Sequence, residues 1–193
     1  MLFRPISKGI LFDISGGYKM IDRSFFEKDS ETVAQKLLGK LLCRKMPNGK
    51  VCKMVIMETE AYPANDSGCY GYGYEGNHGN KKKTAANAPL FQIGGTCCIY
   101  GGMILIVCGK IGKPDNVLIR AGIYNDNYYD GPCKVANILG VDKSFHCIDM
   151  LGNNSELWIE ETIHKDVIAI MRKGISNCVD EDDRKRELRF FAL

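Results

Sequence analysis

Apolar and polar positions follow helical spacing in some segments of the chain and strand alternation in others. After Asp29, a good helix N-cap residue, apolar side chains recur every three or four positions, which predicts a helix that Gly39 ends or bends. The next two apolar segments, Leu41–Lys45 and Val51–Tyr62, flank a Met-Pro-Asn-Gly sequence that ends at Gly49. An Asn-Gly step supplies the positive φ angles of a tight turn, so the two segments are predicted to form a β-hairpin.

Shorter apolar runs predict one more helix and several more strands. Residues 63–89 are rich in Gly, Asn, Tyr and Lys, and a loop of this length is usually functional or mobile. The charged run at 180–186 is expected to be a solvated surface segment. The pattern predicts an α+β fold, a single domain with a curved, mostly antiparallel sheet and flanking helices. The further elements are a helix from about Gly131 to Leu139 and strands at Cys97–Tyr100, Met103–Cys108, Asn116–Ile123, Leu157–Glu160, Val167–Arg172 and Arg189–Ala192.

Length and composition fit one globular domain. The 193 residues are 45% hydrophobic and 25% charged, and 26 basic against 23 acidic side chains give a formal net charge of +3. This balance permits an anionic partner without requiring one. No apolar run approaches the length of a membrane span, which excludes a membrane protein. Residues 1–22 are predicted to be an N-terminal extension of uncertain order, and residues 23–193 the domain itself.

The chain has nine cysteines, an odd number, and they include no Cys-x-x-Cys spacing. The three histidines are scattered, so the spacing of a zinc site is absent, although a non-local cluster stays open. We expect free thiols packed as small apolar residues in a reducing compartment, with no metal and no cofactor. The expected location is intracellular, in the nucleus if the organism is eukaryotic and otherwise in the cytoplasm.

Two carboxylates lie at the exit of the predicted strand 51–62. Strand alternation puts Glu58, Glu60 and Tyr62 on one face, where the chain enters the long loop. Acids at the end of an apolar strand must be solvated, paired or used, and a carboxylate held there can act as a general base toward water. The alternative is a salt-bridged strand end. Arg120, delivered by another apolar strand, either orients the Glu60 carboxylate or is a surface residue.

Aromatic and basic residues are concentrated around the same loop. Aromatic faces interleaved with cations suit stacking on bases and contact with phosphates, but a Tyr-Gly-rich loop is also a common adaptable surface. The residues alone therefore favour a generic hydrolase and a nucleic-acid-binding module equally. The aromatic and basic residues concerned are Tyr62, Tyr70, Tyr72, Tyr74, Tyr100, His78, Lys81, Lys82 and Lys83.

Nine short motifs occur in a fixed order over nearly the whole chain. With them, residues 24 to 192 resemble the alkyladenine (3-methyladenine) DNA glycosylase family. The motifs are Phe25-Phe26 with Val33-Ala34 and the segment 37–42, Glu-Thr-Glu-Ala-Tyr at 58–62, Val-Leu-Ile-Arg-Ala at 117–121, Gly-Pro-x-Lys at 131–134, Leu-Gly-Val at 139–141, Asp-Met-Leu at 149–151, Leu-Trp-Ile-Glu at 157–160, Lys-Gly-Ile at 173–175 and Arg-Phe-Phe at 189–191.

The resemblance implies an enzyme of base-excision repair that flips a damaged purine out of duplex DNA and hydrolyses its N-glycosidic bond. By this resemblance Glu60 activates the water and Arg120 shares it, while a backbone carbonyl near Ile175 makes a third contact. Tyr62 and Tyr100 are implied to stack on the two faces of the base. No lysine occupies a recognisable Schiff-base position, so hydrolysis without strand cleavage is expected. The implied partner is double-stranded DNA with damaged purines, bound by a monomer.

Three positions differ from the family pattern. Tyr70 stands where relatives usually have a histidine that contacts the purine. Ungapped counting from Gly95 puts Met103 at the position of the side chain that intercalates into DNA, whereas the local Tyr-Gly-Gly-Met sequence at 100–103 suggests a shifted register. Lys81, Lys82 and Lys83 are further expected DNA contacts. The segment 122–130 is short where many relatives carry a long insert. A catalytically degraded relative that binds damaged DNA without excising bases is the alternative, and Glu60 argues against a pure binding module because a carboxylate repels phosphates.

Overall fold

The computed structural model describes residues 19–73, 84–162, 166–176 and 179–193. Most of the predicted N-terminal extension lies outside these residues, as do Tyr74, His78, Lys81, Lys82 and Lys83. The described chain forms helices α1 (Arg23–Phe26), α2 (Ser30–Leu37), α3 (Pro132–Ile138) and α4 (Glu181–Lys185), and strands β1 (Leu41–Lys45), β2 (Val51–Tyr62), β3 (Cys97–Tyr100), β4 (Met103–Val107), β5 (Asn116–Tyr124), β6 (Asn127–Asp130), β7 (Leu157–Glu160), β8 (Val167–Ile170) and β9 (Arg189–Ala192).

The strands form one curled antiparallel sheet around the long strand β2. The main path runs in the order β3-β4-β5-β2-β1-β7, and β6 extends it as a hairpin partner of β5. The first half of β2 pairs with β1, and its second half pairs with β9, which in turn pairs with β8. The predicted α+β class and the mostly antiparallel curved sheet are confirmed.

Helix α2 forms where the apolar spacing predicts it and ends before Gly39, which has φ +83°. The Asp29 carboxylate accepts the backbone N–H of Thr32 at 2.8 Å and so caps the first turn. The apolar face of the helix is buried against the sheet. The Thr59 hydroxyl donates to the Ala34 carbonyl at 2.8 Å, which joins α2 to the second half of β2.

The hairpin of β1 and β2 has the predicted bounds, with Leu41 opposite Val55 and Lys45 opposite Val51. Its turn differs in detail from the prediction. Of the Asn-Gly pair, Gly49 alone has a positive φ, +81°, and its N–H donates to the Met46 carbonyl at 2.8 Å. The turn therefore needs one left-handed residue rather than two, because it is one residue longer than the tightest hairpin loop.

The charged run at 180–186 lies at the surface, as predicted, because none of its residues is buried, but it also makes specific contacts. It contains α4, and the carboxylate of Asp183 accepts the backbone N–H and the hydroxyl of Ser67 at 2.8 and 2.7 Å. Arg186 forms ion pairs with Asp66 and Glu31. The run thus packs on the loop after β2, a contact that charge spacing without an apolar stripe cannot indicate.

The two faces of the sheet carry separate hydrophobic clusters. The larger one packs against α2 and α3, and the smaller one consists of Leu90, Phe91, Cys98, Leu105, Val107 and Leu118. Cys97 belongs to the larger cluster and Cys98 to the smaller, as alternation along a strand predicts. The eight described cysteines are free thiols, and six of them are buried.

In the described part of the chain, no group of three His, Cys, Asp or Glu residues is placed to hold a metal ion. No helix of that part has the length and apolar character needed to cross a lipid bilayer.

Candidate active site

Strand pairing brings the two carboxylates of β2 opposite two arginines. Glu60 pairs with Leu118 of β5 on one side and with Arg189 of β9 on the other. Arg120 lies two residues beyond Leu118, and therefore on the same face of the sheet. Register shifts on both sides of Glu58 leave that residue able to meet the same arginines.

Glu58 binds both arginines through one oxygen. Its Oε1 accepts Arg120 Nε at 2.7 Å and Arg189 Nε at 2.6 Å, and the side chain is buried. These short charge-assisted bonds fix the two guanidinium groups in place. Glu58 is thus a support for Arg120 rather than an open carboxylate.

Glu60 is completely buried and holds partners on both oxygens. Its Oε1 accepts the backbone N–H of Lys173 at 2.9 Å and forms an ion pair with Arg120 Nη1 at 3.3 Å. Its Oε2 accepts the hydroxyl of Tyr62 at 2.8 Å. The structure therefore joins Glu60, Arg120 and Tyr62, three of the residues that the sequence nominates, in one network.

The charged groups of this network shift the pKa values of their neighbours. Burial alone would lower the pKa of Arg120, but the carboxylates of Glu60 and Glu58 outweigh it, and the pKa of Arg120 is raised. Burial and the neighbouring charge of Glu60 raise the pKa of Tyr62 far above its usual range. Tyr62 therefore remains a neutral phenol that donates a hydrogen bond to Glu60, and Arg120 remains a cation.

The other two predicted aromatic residues, Tyr70 and Tyr100, stack directly on each other. Their ring centroids are 4.1 Å apart with an angle of 36° between the planes. Tyr100 is 41% exposed at the end of β3, while Tyr70 is half-buried and is hydrogen bonded to the Thr84 side chain. Tyr62 and Tyr70 both pack against the smaller hydrophobic cluster, so all three rings lie on one side of the sheet.

Met103 lies beside these rings. It is the cross-strand partner of Tyr100 across a two-residue turn in which Gly101 and Gly102 have φ of +56° and +78°. The Met103 side chain is half-buried against the smaller cluster. Ile175 is also half-buried, two residues beyond Lys173. The contact from this segment to Glu60 is the amide of Lys173, and the three predicted lysines at 81–83 lie outside the described residues.

Two groups of this network are absent from the sequence-based site. Arg189 could have been found, since alternation along the last strand puts it on the face opposite Phe190, which is in the core. The backbone N–H of Lys173 carries no side-chain signal, because any residue except proline has one.

A separate surface cleft of about 790 Å³ lies at the N-terminal end of α2. It is lined by residues that include Asp29, Pro63, Asp115 and Arg186, and also by Tyr72, one of the aromatic residues noted in the sequence. Burial raises the pKa of Asp115 there. Part of its lining comes from the loop after β2, and none of it comes from the side chains of the Glu60 network.

Known proteins resemble the chain over most of its length. The family model described as methylpurine-DNA glycosylase matches residues 24–193. A protein of Borrelia garinii subsp. bavariensis named "Putative 3-methyladenine DNA glycosylase" is 36% identical over 186 residues, which cover 89% of this chain and 95% of that protein. One of Encephalitozoon cuniculi named "Probable DNA-3-methyladenine glycosylase" is 27% identical, covering 82% and 83%. The chain belongs to the methylpurine-DNA glycosylase family, which confirms the predicted enzyme class, a DNA glycosylase.

Proposed function

We propose that the protein flips alkylated or deaminated purines of the 3-methyladenine type out of duplex DNA and hydrolyses the N-glycosidic bond, with Glu60 as the base that activates water. The arrangement of donors around Glu60 is the observation that carries this proposal. The names of the relatives from Borrelia and Encephalitozoon support the type of substrate.

Counting the donors leaves one lone-pair site of the Glu60 carboxylate, which we assign to the water molecule. An ionised carboxylate offers about four lone-pair sites, two on each oxygen. On Glu60 the Lys173 amide and Arg120 use Oε1, and the Tyr62 hydroxyl uses one site of Oε2. The remaining site of Oε2 accepts the water, beside the phenol of Tyr62.

In the proposed step this water attacks C1′ of the flipped nucleotide and its proton passes to Glu60. The N-glycosidic bond breaks, and its electron pair leaves with the purine. An alkylated purine that carries a positive charge becomes neutral as it leaves, whereas a neutral purine must gain a proton. Arg120 holds the carboxylate in place through Oε1 and through its bond to Glu58. The product is an abasic site in an uncut strand.

The purine reaches this position only if the stacked pair of Tyr70 and Tyr100 opens. A stacked base occupies about 3.4 Å, so rings on both of its faces must lie about 7 Å apart. The rings of Tyr70 and Tyr100, with centroids 4.1 Å apart, leave no room for a base between them. We therefore assign Tyr70 a second position, in which the purine replaces it on Tyr100 and Tyr62 lies on the other face of the base.

The stacking energies imply that only some bases open the Tyr70–Tyr100 pair. An aromatic pair contributes about 0.5–1.5 kcal/mol beyond its buried area. Stacking of a base on a protein ring contributes about 1–3 kcal/mol. The gain from replacing Tyr70 is thus small, so bases that stack strongly on a phenol, above all electron-poor alkylated purines, are the ones that open the pair.

Duplex DNA is held around this site by further proposed contacts. Met103 is next to Tyr100 at the hairpin and is of a side-chain type that intercalates between base steps. Lys81, Lys82 and Lys83 are proposed phosphate contacts, and the protein is proposed to act as a monomer. An intracellular location stays a prediction.

The decisive experiment compares the wild type with Glu60→Gln on duplexes that carry one 3-methyladenine, 7-methylguanine, hypoxanthine or ethenoadenine. Abasic sites are scored by alkaline cleavage, and strand breaks are scored without alkali. Glu160→Gln is the matched control. Like Glu60, Glu160 is a buried carboxylate with a cationic partner, in this case Lys53 at 2.7 Å. We expect base release by the wild type and the control, none by Glu60→Gln, and no break without alkali.

Other outcomes separate the alternatives. Full activity of Glu60→Gln contradicts the water-activation role. A wild type that binds lesion duplexes but releases no base supports the catalytically degraded relative. The complete burial of Glu60 and the closed tyrosine pair are the observations that favour this second hypothesis. Strand breaks that appear without alkali contradict simple hydrolysis.

A further inference from the structure

Arg172, which follows β8 after one residue, lies behind the site with its side chain completely buried. Its Nη1 donates to the Ala61 carbonyl at 3.1 Å, and its Nη2 donates to Asp66 Oδ2 at 2.7 Å and to the Asp183 carbonyl at 2.8 Å. These three partners belong to the end of β2, to the loop that follows it and to α4. One guanidinium group therefore joins three segments that are distant in sequence.

The same guanidinium group covers one face of the Tyr62 ring. Its Cζ is 4.8 Å from the ring centroid, within the range of a cation–π contact. A ring with a cation fixed on one face can stack on a base only with the other face. Arg172 thus determines which face of Tyr62 is available.

The residue after Arg172 contacts the candidate catalytic carboxylate. The backbone N–H of Lys173 donates to Glu60 Oε1 at 2.9 Å. Because adjacent residues share a peptide plane, fixing the side chain of Arg172 also restricts the direction of the Lys173 N–H. The orientations of the Tyr62 ring and of the Glu60 carboxylate therefore both depend on Arg172.

Burial of this arginine is costly, because a guanidinium group taken out of water must recover its hydration through close partners. Asp66, itself completely buried, supplies the compensating charge. Arg172 Nε nevertheless has no hydrogen-bond partner among the described residues. An apolar residue would fill this space without that cost, so the position needs another explanation than stability alone.

We propose that Arg172 is a positioning residue for base excision, which holds the Tyr62 ring and, through the Lys173 amide, the Glu60 carboxylate in their working orientation. This inference rests on the proposed function. Removing the guanidinium group lets both shift, and a misplacement of about 1 Å at a reacting centre lowers the rate on the order of 100-fold.

The chain offers a matched control in Arg44. Arg44 is also buried, its Cζ lies 4.4 Å from the ring centroid of Phe145, and it forms an ion pair with Glu156 at 3.2 Å. Its Nε likewise has no partner among the described residues. Arg44 lies opposite Cys52, and the strand from there to Glu60 covers roughly 25 Å at the rise of a β-strand.

The first measurement compares single-turnover excision of ethenoadenine by the wild type, Arg172→Met and Arg44→Met, with urea unfolding of each. Both variants lose a buried, paired guanidinium group, so both are expected to be less stable. The excision rate is expected to fall on the order of 100-fold in Arg172→Met and to stay within about threefold of the wild type in Arg44→Met.

The second measurement does not depend on base release. Affinities are compared for a duplex with 2′-fluoro-ethenoadenosine, which resists hydrolysis, and a duplex with a tetrahydrofuran abasic analogue, which has no base to stack. In Arg172→Met we expect the ratio of the two affinities to fall at least about tenfold, the value of one lost stacking face. Hydrogen exchange of the Lys173 amide is expected to accelerate in Arg172→Met and to be unchanged in Arg44→Met.

Failure of this proposal is distinct from failure of the proposed function. A wild type that releases no base contradicts the function, and the affinity ratio and the Lys173 exchange then still decide the role of Arg172. Arg172→Met that matches Arg44→Met in rate, ratio and exchange overturns the role. If Arg172→Met does not fold, Arg172→Lys replaces it, because an ammonium group cannot reach Ala61, Asp66 and Asp183 in one plane; wild-type values in that variant overturn the role equally.

Discussion

The ring of Tyr70 lies 4.1 Å from that of Tyr100, centroid to centroid, and so occupies the face of Tyr100 that a flipped purine is proposed to use. The fold places the two residues on different segments, one on the loop after β2 and the other at the end of β3. The pair is therefore a contact that can open without breaking a strand ladder. Its opening precedes base entry in the proposed reaction.

Tyr70→Ala is predicted to speed the entry of the base. The pair of rings contributes about 0.5–1.5 kcal/mol, so removing it should raise the entry rate about 2- to 13-fold. Stopped-flow fluorescence of an ethenoadenine duplex follows this step. Tyr70→Phe, which keeps the ring but not the hydroxyl, should retain the wild-type rate. Equal rates in Tyr70→Ala and wild type would show that the pair does not obstruct the base.

Arg120 is predicted to have separable effects on stability and on excision. Arg120→Met leaves the buried carboxylates of Glu58 and Glu60 with Arg189 as their remaining cation, 2.6 Å from the first and 4.0 Å from the second. Breaking a buried ion pair costs about 3–5 kcal/mol of unfolding free energy. Addition of Glu58→Gln removes the excess negative charge and should recover part of that loss.

Excision should not recover in this double variant, because Glu60 still lacks the guanidinium group that holds Oε1. Urea unfolding and single-turnover excision of the two single variants and the double variant test the separation. Recovery of both properties together would mean that Arg120 acts on catalysis only through charge balance.

The strand pattern predicted much of this site, since alternation put Glu58, Glu60 and Tyr62 on one face and an apolar strand delivered Arg120 to it. The bounds of β1 and β2 were also predicted, because these two largely apolar segments lie on either side of a turn sequence. Such information is local. The alternation of apolar and polar residues along a strand determines which face of the strand packs against the core.

The remaining contacts of the site are not local. Arg172 meets Asp66 across 106 positions of the chain, and Lys173 meets Glu60 through a backbone group that every non-proline residue has. The stacking of Tyr70 on Tyr100 depends on how the loop after β2 folds back over the sheet. Pattern and spacing carry no information on such long-range pairs, which tertiary packing decides.

Buried thiols predict a loss of stability in alkaline solution. Burial raises the pKa of Cys43, Cys69 and Cys98 to about 12. An unfolded thiol has a pKa of about 8.5, so above that pH the unfolded chain has lost protons that the folded chain still holds. Stability is therefore fully present below about pH 8.5 and falls as the pH rises toward 12, by about 1.4 kcal/mol per pH unit for each such thiol.

Urea unfolding between pH 7 and pH 10.5, under reducing conditions, measures this slope. Cys43→Ala should make the slope less steep by the contribution of one group, whatever its effect on stability at neutral pH. Cys133→Ala is the control, because Cys133 is exposed. An unchanged slope in Cys43→Ala would mean that its thiol ionises alike in the folded and unfolded chain.

Tyr62 is predicted to contribute through its ring and its hydroxyl in different steps. Tyr62→Ala removes a stacking face and should weaken binding of lesion duplex relative to undamaged duplex by about 1–3 kcal/mol. Tyr62→Phe keeps the ring under the guanidinium group of Arg172 and should keep that affinity. It removes the donor to Glu60 Oε2, a hydrogen bond to a charged group that contributes about 1.5–3 kcal/mol, so excision should slow about tenfold or more. Affinities for the non-hydrolysable ethenoadenine duplex and single-turnover rates separate the two effects. A Tyr62→Phe variant with weakened binding but an unchanged rate would show that the hydroxyl acts in binding rather than in excision.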